Sequence, residues 1–256
     1  MSGLGGAGVL VTRPAHQAEV LCRLIAEQGG TAIRFPTLAI EATADTVAVQ
    51  TALANLGNFQ WLIFISANAV NFALKANGGK IPKLIAPRLA AIGQSTAQAL
   101  ANSGLGVDLV PAQGFNSEAL LAEPLLQQVG GQRILIVRGE GGREELAAQL
   151  RHRGAEVSYI DVYKRVMPDN NASEVQALLT QQRLQAITIT SGEALQNLLM
   201  MVAPAYHPLL TAIPVIVVSG RLAQMANNLG FKHVVVAEQP ADSAMIKAVT
   251  MCLTGK

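Results

Sequence analysis

Short runs of unbroken apolar and β-branched residues recur along the chain, each followed by a small-residue turn and an amphipathic stretch. ILIV (134–137), AITIT (186–190) and VIVVS (215–219) are of this kind. Strands without polar alternation are the mark of a parallel sheet buried on both faces. The amphipathic runs read as helices. REELAAQLRHRG (143–154) and HQAEVLCRLIAEQGG (16–30) both close on glycine, the residue suited to a left-handed cap. Strands alternating with helices predict an α/β fold with doubly wound parallel sheets. One stretch, 198–220, carries no Lys, Arg, Asp or Glu, but Pro204, Pro208 and Pro214 would break a membrane-spanning helix. It reads as a helix end, a loop and a buried strand.

The pattern is written twice. GVLVTRP (8–14) aligns with RILIVRG (133–139), placing Val9 opposite Ile134 and Arg13 opposite Arg138. LIFISANAV (62–70) aligns with the segment holding Ser191 at the same offset of 125 positions, and Ser117 aligns with Ser243 at 126. A near-constant offset over separate segments indicates internal duplication. Two extended, alternating stretches, FPTLAIEA (35–42) and YIDVYKRVMP (159–168), interrupt the rhythm at matching places and read as linkers. The predicted organisation is one α/β lobe from residues 1–36 and 169–256 and a second from 42–159. Residues 37–41 and 160–168 are the linker strands between them. The repeat units are then shared between lobes rather than stacked in order.

Composition narrows the function. Half the residues are hydrophobic, 14% are charged, and the net charge is +2. This describes a packed globular protein and leaves no basic stripe for nucleic acid. No basic segment followed by an apolar one opens the chain, so no secretory signal is expected and the reading is cytoplasmic. Cys22 and Cys252 read as reduced, packed thiols on helix faces. The four histidines are scattered, with no HExxH or CxxC, so no metal site is expected. The glycines of SGLGGAG precede the first strand, where a dinucleotide fingerprint needs them after it. GQSTA (93–97) differs from a nucleophile elbow in its last position; Ser95 or Thr96 reads as a cap for the following helix.

What remains is a set of strand ends: Thr12-Arg13, Ser66, Gly93 with Ser95 and Thr96, Arg138-Gly139, Ser191 and Ser219. Ligands of open α/β sheets bind outside the carboxyl ends of the strands. Helix N-termini there present free N–H groups suited to carboxylates or phosphates. Each serine reads equally as an ordinary N-cap. Two lobes presenting such edges to a shared cleft would make them a binding surface.

These segments resemble the uroporphyrinogen-III synthase family over essentially the whole chain. VLVTRP (9–14), LIFISANAV, AAIGQSTAQAL (90–100), ILIVRGEGGREELAAQLRHRGAEV (134–157), VYKR (162–165), ITSGEAL (189–195) and VVSGRLAQMANNLGF (217–231) carry the resemblance by their order and spacing. It implies two α/β lobes joined by a two-stranded linker. It also implies a cofactor-free, metal-free lyase that closes linear hydroxymethylbilane to uroporphyrinogen III with loss of water and inversion of ring D. The same resemblance implies a monomer acting on a small molecule, with no nucleic-acid or membrane partner, in transient contact with the enzyme that supplies hydroxymethylbilane.

The resemblance points to the linker tyrosine, Tyr163, as the group that helps the hydroxyl leave, since a phenol stays protonated at neutral pH. Substrate carboxylates are expected near Thr12, Arg13, Ser66, Gly93, Ser95, Thr96, Arg138 and Ser191. Arg13 and Arg138 could equally form local ion pairs. Asn68 stands where some relatives carry arginine, and Ser219-Gly220-Arg221-Leu222 where some carry a glycine-threonine turn. A two-lobed binding protein without catalysis is the competing reading. A receiver-type domain is disfavoured, because it needs acidic strand ends where this chain has Thr, Arg and Ser.

Overall fold

Trp61–Phe64, four consecutive apolar residues, are all buried, and alternate residues enter different cores. That is the behaviour of a strand covered on both sides. The computed structural model describes residues 3–80, 87–142 and 144–255. In chain order it begins with β1 (Gly8–Val11), α1 (Glu19–Glu27) and β2 (Thr31–Arg34). Next come β3 (Ala39–Ala42), α2 (Thr46–Ala54), β4 (Trp61–Phe64), α3 (Ala67–Ala76), β5 (Arg88–Ala91) and α4 (Gln94–Asn102). They lead to α5 (Ser117–Ala122), β6 (Arg133–Gly139), α6 (Glu145–His152) and β7 (Glu156–Val166). The last third holds α7 (Ser173–Thr180), β8 (Ala186–Ile189), α8 (Gly192–Met201), α9 (His207–Leu210), β9 (Val215–Val217), α10 (Gly220–Asn228), β10 (Val234–Val236) and α11 (Asp242–Thr254).

The chain divides into two units, Met1–Ala39 with Val166–Lys256, and Ile40–Arg165. The first has a sheet of order β10-β9-β8-β1-β2, and the second a sheet of order β3-β7-β6-β4-β5. The segments read as linker strands lie about the points where the chain passes between units, and β3 and β7 are neighbours in the second sheet.

The duplication is visible in the strand register. In the first unit Val9 pairs with Ala186 and Gly8 with Thr31, all in parallel. In the second, Ile134 pairs with Trp61 and Arg133 with Glu156, the same positions one repeat on. β1, β2, β8 and β9 thus correspond to β6, β7, β4 and β5, and each sheet combines strands from both copies.

Each sheet is sandwiched between two hydrophobic layers. In the second unit Leu62, Phe64, Leu135 and Val137 face α2, α3 and α4, while Trp61, Ile63, Ile134 and Ile136 face α5 and α6. In the first unit Leu10, Ile187 and Val217 join one cluster, and Val9, Val11 and Ile216 the other. Full burial of one such side chain contributes on the order of 2 kcal/mol.

Gly29 and Gly154, at φ +73° and +84°, follow α1 and α6 in the left-handed conformation read from the sequence. Arg143, at the head of the run read as a helix, lies outside the described residues. Cys22 is buried on α1 and Cys252 half-buried on α11; both are free, and burial is the main cause raising each thiol. The apolar stretch 198–220 is divided among α8, α9 and β9, so the expected loop contains a short extra helix. Among the described residues, no helix is long and apolar enough to cross a membrane.

Candidate active site

The site begins with an irregularity between two strands of the second unit. β6 and β7 run parallel with Val137 opposite Ile160 and Arg138 opposite Asp161, and then Gly139 opposite Tyr163. The skipped residue, Val162, is a β-bulge. Such an insertion bends a strand and re-aims the side chain after it. Alternation fails at this point, since Val162 and Tyr163 are both buried. The Glu140 N–H donates to the Tyr163 carbonyl at 2.8 Å and fixes the backbone beyond the bulge. The Tyr163 ring lies 5.8 Å from that of Phe72, centroid to centroid, and only 6% of the residue is exposed.

Ser66 meets this tyrosine from the end of β4, on the other side of β6. It follows β4 in extended conformation and caps α3, its Oγ accepting from the Ala69 N–H at 3.0 Å. The same Oγ lies 3.2 Å from the Tyr163 hydroxyl. A serine hydroxyl has two lone pairs and one proton, so it can serve both partners.

Arg138, on β6 opposite the residue before the bulge, is 8% exposed. Its Nε donates to Asp161 at 3.0 Å and its Nη1 to Glu144 at 2.8 Å and to the Gly142 carbonyl at 3.3 Å. The guanidinium stacks 3.6 Å from the centroid of Tyr159, whose hydroxyl donates to Glu144. Burial opposes the charge on Arg138, but hydrogen bonds and attraction from Glu144 and Asp161 more than offset it, and its pKa is raised. Hydrogen bonds from Tyr159 and then Arg138 hold Glu144 below the usual carboxylate value; burial first and Glu144 second raise Tyr159.

A pocket of about 400 Å³ lies at the carboxyl ends of the second sheet. Ser66, Tyr163, Arg138, Asn116, Gly142 and Arg165 are among its walls. It offers three hydroxyl-bearing residues, Ser66, Ser117 and Tyr163, with an amide and two guanidinium-bearing residues beside apolar surface, a setting for an acidic, partly aromatic ligand. Among the described residues, no three His, Cys, Asp or Glu side chains are grouped to hold a metal ion.

Comparison with known proteins decides the family. A family model described as "Uroporphyrinogen-III synthase HemD" matches residues 19–247. The chain belongs to the uroporphyrinogen-III synthase family. It is 36% identical to the uroporphyrinogen-III synthase of Salmonella typhimurium over 94% of this chain and 99% of that one. The Escherichia coli protein of the same name is 35% identical over 94% and 99%. Among solved structures, a mutant uroporphyrinogen III synthase of the extremely thermophilic bacterium Thermus thermophilus matches with a TM-score of 0.66, covering 98% of this chain and 100% of that one. At 19% identity that match concerns the fold.

Of the residues singled out in this uroporphyrinogen-III synthase family member, Ser66, Arg138 and Tyr163 border this pocket. Arg138 is heavily engaged in its local ion pairs. Gly93 is the N-cap of α4; a β-carbon there would lie 2.8 Å from that of Phe115, so glycine is required by packing. Ser95 and Thr96 lie inside the first turn of α4 and make no side-chain cap bond, which corrects the capping role expected of them. Their register is one step too late, because Gly93 already occupies the cap. Ser95 is exposed and Thr96 buried.

The remaining three belong to the first unit. Ser191 caps α8, accepting from the Ala194 N–H at 3.1 Å. Arg13 pairs with Asp242 at the start of α11. The Thr12 side chain is fully buried and its hydroxyl donates to the Thr188 carbonyl at 2.8 Å. The hydroxyl ties the end of β1 to β8.

Sequence reasoning missed Asn116, Ser117, Gly141, Gly142 and Arg165 as pocket residues. The repeat offset that marked Ser117 would have drawn attention to Asn116 beside it. Arg165 closes the VYKR segment and shares a strand with Tyr163.

Proposed function

We propose that this protein is a cyclising hydro-lyase that converts hydroxymethylbilane to uroporphyrinogen III. The observation that carries the reading is the 3.2 Å contact between the Tyr163 and Ser66 hydroxyls on the wall of the pocket, in a chain of this family.

The chemistry asks little covalent work of the protein. Loss of the terminal hydroxyl from the linear tetrapyrrole leaves a pyrrole-stabilised azafulvene cation. Tyr163 gives a proton to the departing oxygen, which leaves as water, and Ser66 orients the phenol. The substituted carbon of ring D then attacks the cation to give a spiro intermediate. Its older bond from ring D breaks, and ring D recloses through its other free carbon. The proton lost at that carbon restores the phenol, and the balance is one substrate to one macrocycle and one water. The harder task is to hold the chain so that direct closure without inversion does not compete. A pocket of about 400 Å³ suits one end of a linear tetrapyrrole better than the whole chain. Arg165 on its wall is the cation assigned to an acetate or propionate arm, while Arg138 is already paired with Glu144 and Asp161.

Ser95, exposed on α4 of the same unit, is assigned to a substrate carboxylate farther from the reacting end. The protein acts as a cytoplasmic monomer and receives hydroxymethylbilane in transient contact with the enzyme that makes it, an arrangement favoured by the substrate's tendency to close unaided. The reading is tested by incubating the purified protein with hydroxymethylbilane and no added cofactor, and measuring which macrocycle forms.

A further inference from the structure

Gly139 ends β6 directly opposite Tyr163. A β-carbon built on it would lie 2.5 Å from both Cζ and Cε2 of the Tyr163 ring, and Cζ is the carbon that bears the phenol oxygen. Carbon atoms in contact sit about 3.5–4 Å apart. The ring therefore lies in the space a side chain would occupy. Phe72 packs against it and the Glu140 N–H pins the Tyr163 carbonyl, so a displaced ring moves toward the pocket it lines.

The bulge and the glycine act on the same ring. Val162, the extra residue, changes which way position 163 points; Gly139 leaves the space at the neighbouring strand end that the ring then fills. Together they bring the hydroxyl to 3.2 Å from Ser66. Gly139 is in an ordinary backbone conformation, since it is absent from the positive-φ residues. Its need for glycine is one of space.

We propose that Gly139 is a positioning residue for the ring-closing reaction, setting the place of the Tyr163 hydroxyl through the side chain it lacks. This rests on the proposed role of Tyr163. A methyl group at 139 moves the ring by about 1 Å, a displacement that can cost about 100-fold when it misplaces a reacting group.

The experiment compares kcat and KM for hydroxymethylbilane in the wild type, Gly139→Ala, Tyr163→Phe and the double variant. Each is also labelled with 3-fluorotyrosine for fluorine NMR; the chain has three tyrosines, and the signal lost in Tyr163→Phe identifies Tyr163. Gly139→Ala is expected to lower kcat about 10- to 100-fold with KM within about threefold, and to shift the Tyr163 resonance while leaving that of Tyr206 in place. In the Tyr163→Phe background it is expected to lower kcat by less than about twofold, because the hydroxyl it displaces is gone. Wild-type kcat in Gly139→Ala, or the same fold-loss in both backgrounds, overturns the proposal. Unchanged kcat in Tyr163→Phe alone would instead strike the role given to Tyr163, whatever position 139 does to the resonance. If Gly139→Ala does not fold, Gly139→Ala/Tyr163→Ala is expected to fold, since the collision is removed; failure of both also overturns it.

Discussion

The Tyr163 hydroxyl lies 3.2 Å from Oγ of Ser66, the residue that caps α3. One side chain thus completes a helix and contacts the phenol. The contact joins a strand end read as a ligand edge to the tyrosine of a segment read as a linker. It also separates two effects that mutation can measure.

Tyr163→Phe keeps the ring against Phe72 and removes only the oxygen. The account expects kcat to fall by about 10²–10⁴, the usual worth of a positioned proton donor. Thermal melting should change by no more than a few degrees. Steady-state kinetics and calorimetry on one preparation check both; wild-type kcat would remove the phenol from the mechanism.

Ser66→Ala and Ser191→Ala remove equivalent caps one repeat apart. Each should cost about 1 kcal/mol of stability by denaturant titration. Turnover should separate them, with the larger kcat loss in Ser66→Ala because only Ser66 contacts Tyr163. Equal kcat losses would mean the contact with the phenol does nothing.

Glu144 binds Tyr159 and Arg138, which hold its pKa below the ordinary 4.5. A carboxylate whose folded pKa is depressed adds stability above its unfolded pKa, and that stability is lost as pH falls through the folded value. The stability difference between wild type and Glu144→Gln should therefore be constant near neutrality and shrink below about pH 4.5. Tyr159 has the opposite sign: its raised pKa gives stability that is present below the ordinary 10.0 and lost as pH rises through the folded value. Tyr159→Phe should accordingly approach the wild type in stability only at alkaline pH. Denaturant titrations across the pH range test both limbs.

Thr12→Val should destabilise the protein by about 1–2 kcal/mol, because it removes a buried hydrogen bond to the Thr188 carbonyl. KM for hydroxymethylbilane should not change. A raised KM with unchanged stability would restore Thr12 to the binding surface.

Much of the fold could be read from the chain because its strands are buried on both faces. ILIV and AITIT admit few other interpretations, and the offset between Val9 and Ile134 reappears as strand register. The site was legible less evenly. Ser66 and Ser191 stand at caps that local sequence announces. The bulge at Val162 was not visible, because it depends on how β7 pairs with β6 rather than on β7 alone. Arg138 could be placed at a strand end, but its partners Asp161 and Glu144 come from other elements, so one sequence could not choose between ion pair and ligand. Thr12 and Arg13 are adjacent in sequence, yet one is fully buried and the other pairs with α11. Asn116 and Gly142 reach the pocket only through the fold of the second unit.

The most direct test of the central claim is an isomer assay. Hydroxymethylbilane is generated in situ, the purified protein is added without cofactors, and the oxidised products are separated as uroporphyrins I and III. The account predicts predominantly type III from the wild type, with Tyr163→Phe shifting the mixture toward type I as unassisted closure overtakes it. Type I from the wild type, formed at the rate of the protein-free control, would contradict it.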